Sequence, residues 1–527
     1  MNNWHWSFLL VLMDVSIAAS AAEPSKRPLN LLFIITDQQR WDAMSCAGNK
    51  VLKTPNLDKL AEDGARFTNF YSACPVCVPA RTSILTGYTP GSNRIVSNTD
   101  IESANIPKDM ISFDQILLRS GYRGEYHGKY HSPYRLTLEY TEPVLWLNGK
   151  KAPLGSKATT SEADAYRTYL KANVPQRELQ PGELLQSVGI YKPIPLDENF
   201  GKANPSKGSQ AESYGRADHA AEHSLTAFTA RAGLAALDRL KGGPFTLTIS
   251  IGPPHPPMIV ADPYYSMYPP QSIPLTASLN DPQTNCPYRD RSNALAAAYR
   301  NPDNIRQMTS IYYGMVTEVD EWVGKILKKL DDLGIADNTL VIFTADHGEM
   351  LGDHGMHGKF VFLEGSVHIP LLVRLPGLVP PQTVVNAPAS HIDLFPTILD
   401  YLNRPGHPSE GQSLRPLIDG KEKGTGRIAV SEWPNKRLPG FMIFDGRRKL
   451  LYGRGPDSPS LDALYDLQTD PHEMNNLIGN NPDREKSKIE TSQMKNLLVD
   501  WLAKIKSPAL ESVKARPILV ESPPKPQ

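Results

Sequence analysis

The sequence predicts an α/β fold: a mixed, largely parallel sheet flanked by helices, followed by a smaller C-terminal α+β subdomain. Three observations carry this reading. Continuous apolar runs of strand length recur at 29–36, 245–251 and 340–344, the pattern of strands covered on both faces. Segments of helical period separate them. After about residue 405 the runs shorten to 428–431, 441–444 and 449–452, with a helix at 489–506.

In chain order, the run 29–36 ends on Asp37, an acid at the carboxyl end of a buried strand, where sites of α/β sheets lie. Thr54-Pro55 opens an amphipathic helix reaching Gly64, with Leu57, Leu60 and Ala61 on one face. A strand is expected over 66–71. A helix follows over 79–86, with Pro79 suited to its first turn. Gly121 closes a helix over 114–120, and Gly334 closes a long amphipathic helix over 308–333. The strand 340–344 again leads to an acid, Asp346. A strand at 370–375 and a helix at 391–402 complete the larger part. Residues 140–215 and 260–305 are polar and rich in Pro, Ser and Asn, and read as surface insertions that shape a pocket.

The 527 residues carry 56 Lys+Arg and 56 Asp+Glu, a net charge of zero. Nothing in that balance points to nucleic acid. No run after the N-terminus is long enough to span a membrane. Residues 1–22 read as an export signal, with an apolar run at 8–13 and small residues at 18–22. The expected location is therefore periplasmic or secreted. The four cysteines are Cys46, Cys74, Cys77 and Cys286, too few for a disulfide scaffold. A Cys46–Cys286 bridge stays open. Cys74 and Cys77 form a C-x-x-C pair, but no second cluster exists to make a zinc site.

The most constrained segment is Cys77-Val78-Pro79-Ala80-Arg81 with Leu85-Thr86-Gly87. It closely resembles the signature of the type I sulfatases, in the alkaline phosphatase-like superfamily. Five further motifs match that family in order: Thr36-Asp37-Gln38-Gln39; Gly121-Tyr122 with Gly128-Lys129-Tyr130-His131; Pro253-Pro254-His255-Pro256-Pro257; Thr344-Ala345-Asp346-His347-Gly348-Glu349; and Lys359 followed by Glu364 to Pro370. A stretch Leu464-Tyr465-Asp466-Leu467 with Asp470-Pro471 and Glu473 also matches and reads as structural.

The resemblance implies a fold of alkaline phosphatase type and the hydrolysis of sulfate esters. Cys77 would be oxidised to Cα-formylglycine by a maturation enzyme, its hydrated aldehyde serving as nucleophile. Asp37, Gln38, Asp346 and His347, with residue 77, would hold one divalent metal. Calcium is the metal implied, and the imidazole of His347 keeps manganese open. Lys129 and Lys359 would contact sulfate. His255 would protonate the leaving alcohol, and His131 would take a proton from the second hydroxyl. Arg81 would hold an aldehyde oxygen or the metal-bound carboxylates. These roles suit the chemistry, because a sulfate ester repels an attacking anion until cations neutralise its oxygens.

The implied domains are a catalytic α/β domain at 23–405, the α+β subdomain at 406–515 and a disordered tail at 516–527. The substrate expected is a sulfated carbohydrate, an algal polysaccharide or a glycosaminoglycan. Arg40, Asp353, His354 and His357 read either as pocket-rim residues or as loop polars. Two competitors remain. A phosphonate monoester or phosphodiester hydrolase of the same superfamily shares the C-x-P-x-R element and a similar metal set, but typically lacks the Lys129/His131 pair. A non-catalytic binder of sulfated glycans would not need capable residues at every expected position.

Overall fold

The computed structural model describes residues 27–101, 107, 110–132, 146–147, 150–151, 161–194, 214–288, 300–434 and 437–520. The proposed export signal lies outside them. A nine-stranded mixed sheet forms the centre, in the spatial order 383–385, 65–67, 371–374, 339–345, 30–37, 245–254, 123–128, 146–147, 150–151. The middle strands Asn30–Asp37, Phe245–Pro254, Thr339–Ala345 and Arg123–Gly128 are parallel to one another. Leu371–Arg374 runs antiparallel beside Thr339–Ala345, and Ala65–Phe67 pairs antiparallel with it in turn, regaining the direction of the middle strands.

Side chains alternate across a strand, and the first strand shows what this achieves. Leu31, Phe33 and Ile35 join a core with Ile84, Leu85, Phe113 and Phe395 on one face. Leu32 and Ile34 join the other core, with Leu57, Leu237 and Val323. Helices Cys77–Thr86, Phe113–Arg119 and Leu394–Tyr401 therefore cover one face. Helices Pro55–Glu62, Leu225–Leu240 and Pro302–Asp332 cover the other.

The expected strand over 66–71 is instead two short ones, Ala65–Phe67 and Phe70–Tyr71, in different sheets. Thr68 and Asn69 interrupt it to bond Asn386. The long helix starts at Pro302, six residues earlier than its apolar period predicts, because Asn301 caps it through the backbone N–H groups of Asp303 and Asn304. The segment read as a polar insertion at 260–305 buries Tyr264, Tyr268, Ile273 and Leu279 against that helix. Its composition concealed these anchors. Residues 195–213 and 289–299 of the two insertions lie outside the described residues.

After residue 428 an antiparallel four-stranded sheet is ordered Ala429–Glu432, Phe441–Phe444, Arg448–Tyr452, Ala463–Asp466. Helices Lys488–Lys504 and Leu510–Ala515 cover it. Charged seams join it to the larger part. The Lys449 ammonium is fully buried between Glu364 at 2.7 Å and Glu473 at 2.8 Å. The Glu432 N–H donates to Ala73 O at 2.8 Å, and its carboxylate accepts from Gly91 N at 2.9 Å.

The expected disordered tail differs at its start. Arg516 is fully buried, 2.6 Å from Asp462, and Leu519 N donates to the same carboxylate at 2.8 Å. Residues 521–527 lie outside the described residues. No described helix is long and apolar enough to cross a membrane. All four cysteines are free thiols, so the Cys46–Cys286 bridge is not formed.

Candidate active site

Four strand ends and one helix start meet at the carboxyl edge of the sheet. Asp37 shares the face of Leu31, Phe33 and Ile35, the face that carries helix Cys77–Thr86. Pairing with Phe245–Pro254 slips between Thr36 and Asp37. Gln38 then takes a left-handed φ of 68°, and the chain peels off the sheet. Asp346 follows the adjacent strand directly. Its Oδ1 accepts from Gln38 N at 3.1 Å and His347 N at 2.9 Å, locking the two strand ends together.

Cys77 is the first residue of its helix and is 1% exposed. All ten residues of that helix are buried. The hydroxyls of Thr82 and Thr86 are satisfied by carbonyls one turn back, each at 2.8 Å, which lets a polar sequence enter a core. Gly87 ends the helix at φ 72°. A Cβ there would lie 2.9 Å from that of Phe395, so only glycine closes this turn. His391 fixes the approach to the helix. Its Nδ1 accepts from Ala73 N at 3.2 Å, and its Nε2 donates to Ala345 O at 2.9 Å. Burial pushes its pKa down to about 3, so the ring is neutral and this tautomer holds.

Asp37, Cys77, Asp346 and His347 offer ligand atoms within 4.8 Å of one another. His347 Nε2 lies 3.1 Å from Cys77 Sγ. Lys359 Nζ donates to Cys77 Sγ and to Gln38 Oε1, both at 2.9 Å. The Gln38 amide is turned this way because its Nε2 donates to Glu349. Lys129 pairs with Asp37, and Gly128 sets it there. A Cβ on Gly128 would meet Ser250 O at 1.9 Å, and φ is 96°. His131 lies near Cys77 and Lys129, and burial lowers its pKa. His255 sits at the rim, 32% exposed, with Nε2 4.0 Å from Asp37 Oδ1.

Arg81 holds the carboxylates rather than residue 77. Its Nε donates to Asp346 at 2.8 Å and one terminal nitrogen to Asp37 at 3.2 Å. The other donates to Lys129 O and to Ser250 Oγ, both at 2.9 Å.

The charges decide the protonation states. Burial alone would raise the Asp37 pKa, but Lys129, His255, Lys359 and Arg81 hold it well below the usual carboxylate range. Burial would likewise raise the Cys77 thiol. Lys359, Lys129 and His347 outweigh burial and the Asp37 charge, so it lies well below its ordinary value. The pocket therefore stabilises an anion at position 77.

A divalent cation fits this donor set. Asp37 Oδ1 is buried and accepts no hydrogen bond, which is costly for a carboxylate oxygen. The oxygen-rich ligands suit a hard cation, and the imidazole is also compatible with manganese.

The sequence motifs thus converge on one pocket. Arg40, Asp353 and His354 do not join it. They line a separate cavity of about 360 Å³, where Arg40 pairs with Asp353 at 2.7 Å. His354 pairs with Asp281 at 2.6 Å, and His357 is half-buried in the same loop. Sequence reasoning assigned no role to Ser250, Glu349 or His391. Ser250 was detectable as a polar residue inside an apolar strand, and Glu349 as part of the Asp346 motif. His391 gave no signal.

Comparisons with known proteins agree with this geometry. The family model described as Sulfatase matches residues 29–404, and that of the N-sulphoglucosamine sulphohydrolase C-terminal region matches residues 352–502. An ulvan-active sulfatase of Formosa agariphila is 30% identical over 87% of this chain and 78% of its own. A multifunctional alkaline phosphatase superfamily protein, PehA of Trinickia caryophylli, is 29% identical over 85% of this chain and 91% of its own. The crystal structure of a phosphonate monoester hydrolase of Agrobacterium radiobacter superposes with a TM-score of 0.71. It covers 91% of this chain and 96% of its own at 24% identity, a likeness of fold.

Proposed function

The chain belongs to the sulfatase family of the alkaline phosphatase-like superfamily and is a sulfuric ester hydrolase; from that premise we propose that it removes sulfate from a sulfated carbohydrate, with residue 77 acting as a formylglycine. The observation that carries the mechanism is Cys77 at a buried helix start, within 3.1 Å of both Lys359 and His347. Its Sγ stands where the aldehyde oxygens would sit. Oxidation of Cys77 supplies an aldehyde whose hydrate carries two hydroxyls, one to attack sulfur and one to expel sulfate. Asp37, Gln38, Asp346 and His347 would hold the cation, calcium in this reading with manganese second. When bound, it supplies positive charge beside the sulfate oxygens and lowers the pKa of a hydroxyl at position 77.

The rest is done by this chain's side chains. Lys129 and Lys359 bind and neutralise the sulfate oxygens as charge moves toward the bridging oxygen. Arg81 keeps Asp37 and Asp346 in place. His255, at the open rim, delivers a proton to the departing alcohol. His131, kept neutral by burial, accepts the proton of the second hydroxyl.

The carbohydrate assignment is supported by the ulvan-active relative and by the long insertions around the pocket. Glycosaminoglycans fit the same chemistry. A formylglycine-generating enzyme is the partner this mechanism requires. Export to the periplasm or beyond rests on residues 1–22 alone.

The test pairs a mass spectrum of the peptide containing residue 77 with release assays on sulfated glycans and a phosphonate ester. The protein is made with a maturation enzyme. A peptide lighter by the formylglycine difference, together with sulfate release, is the expected result. Phosphonate turnover alone would move the protein to the competing hydrolase activity. Unmodified Cys77 despite competent maturation would favour a binding role.

His255→Ala should lower kcat on sugar sulfates by about 10²–10⁴-fold. Activated aryl sulfates, whose leaving groups need no proton, should lose far less. Equal losses on both would remove its role as acid.

A further inference from the structure

Beside Lys129 and His255 a cavity of about 180 Å³ runs inward from the rim. Since His255 faces the leaving alcohol in the reading above, this cavity lies on the side of the alcohol and not of the sulfate. Its walls mix apolar side chains, among them Pro253, Pro257, Ile259 and Met315, with polar ones such as Thr226 and His219. One acid lines it. Glu318, from the long helix Pro302–Asp332, is 3% exposed.

A carboxyl group is an expensive choice for such a wall, and helix packing does not require it. Among the described residues only Ser224 hydrogen-bonds it, donating to Oε1. Ser224 in turn caps helix Leu225–Leu240 by accepting from Ala227 N. That cap needs the serine oxygen, not the acid behind it. The second oxygen, Oε2, is left over beside the cavity.

We propose that Glu318 is a specificity-determining residue, its free oxygen bonding a ring hydroxyl of the sugar whose sulfate lies against Lys129 and His255. The proposal deepens the functional reading above and rests on it. It also explains how an acid can serve beside an anionic substrate. Burial first, and the nearby Glu321 charge next, push Glu318 up to about 8, against the Ser224 bond and Lys325. At neutral pH the group is an uncharged acid. With Oε1 accepting from Ser224, the proton resides on Oε2 and can be donated to a sugar oxygen. A planar aryl ring offers no acceptor at that point.

The experiment uses the full matured chain and two substrate types: 4-nitrophenyl sulfate, and monosaccharide sulfates esterified at the 2, 3, 4 or 6 position. Glu318→Ala should raise KM on the best sugar sulfate by about tenfold or more, with kcat and aryl sulfate hydrolysis changed less than about twofold. Glu318→Gln, neutral and able both to accept from Ser224 and to donate, should recover most of the loss. This differs from His255→Ala, which acts on kcat. Equal losses on both substrate types would make Glu318 merely structural and overturn the proposal, as would no loss on the sugar. Aryl turnover with none of the sugar sulfates cleaved by the parent protein would overturn it too, while leaving the sulfatase reading standing. No sulfate release from any ester would overturn both.

Discussion

Replacing Cys77 with alanine will abolish turnover, by at least about 10⁴-fold, while leaving the melting temperature within a few degrees of the parent. The two halves of this expectation have separate physical grounds. Every route to the reaction passes through the atom at position 77, since Lys359, His347 and His131 all address it. None of the remaining groups is a nucleophile placed to replace it. The helix, by contrast, is held by side chains that the substitution does not touch: the threonine back-bonds, the Gly87 turn, and the Val78 N–H donating to Asn98 at 3.0 Å. Lys359 keeps Gln38 as a partner, so no buried charge is stranded. Kinetics and calorimetry on the one variant check both halves. Retained turnover would sink the formylglycine mechanism. A collapsed melting temperature would mean that the thiol is part of the core's stability.

The largest effect on stability is expected at Arg516. Its guanidinium donates to Asp462 and, at 2.7 Å, to Ser460 O, and stacks 4.8 Å above the Tyr452 ring. Burial nevertheless pushes Asp462 up to about 6, despite Arg516 and two backbone donors. The ion pair therefore does not recover all that desolvation costs. That imbalance gives the prediction its shape. Arg516→Ala strands a buried carboxylate and should cost about 3–5 kcal/mol. The double change Arg516→Met with Asp462→Asn should recover part of it, because no buried charge is left uncompensated and the amide oxygen can still accept from one of the backbone N–H groups of Gly453 and Leu519. Denaturation of both variants, with hydrogen exchange over 448–466, decides the matter. A neutral Arg516→Ala would show that the segment 516–520 contributes nothing to the stability of this sheet.

The same residue shows where sequence reading stops. A proline-rich end reads as disordered because composition carries no information on one long-range pair, and Arg516 meets Asp462 across 54 positions. The residues of the candidate site were legible for the opposite reason. Asp37 and Asp346 close continuous apolar runs, so the acid at the end of a buried strand can be seen without a structure. Helix Cys77–Thr86 announces itself by Pro79 and Gly87. What could not be read was whatever acts sideways between elements. His391 joins a loop to a strand end through its ring, Ser250 catches Arg81, and Glu318 waits behind a helix cap. Polar composition misled over 260–288, where tyrosines bury their rings while their hydroxyls find partners. Tyr268 reaches Thr317 at 2.6 Å and Tyr264 reaches Glu321 at 2.5 Å.

The seam between the two parts has a consequence for anyone recombining this chain with its relatives. Glu432 grips Ala73 and Gly91, the segments just before and just after helix Cys77–Thr86. Lys449 reaches Glu364, five positions beyond the lysine that faces Cys77. The later sheet is thus a splint for the chemistry and not an appendage. A crossover near residue 405 would look harmless on an alignment and would hand the reactive helix a stranger's splint. The pieces that meet at Glu432 and Lys449 are inherited as a set.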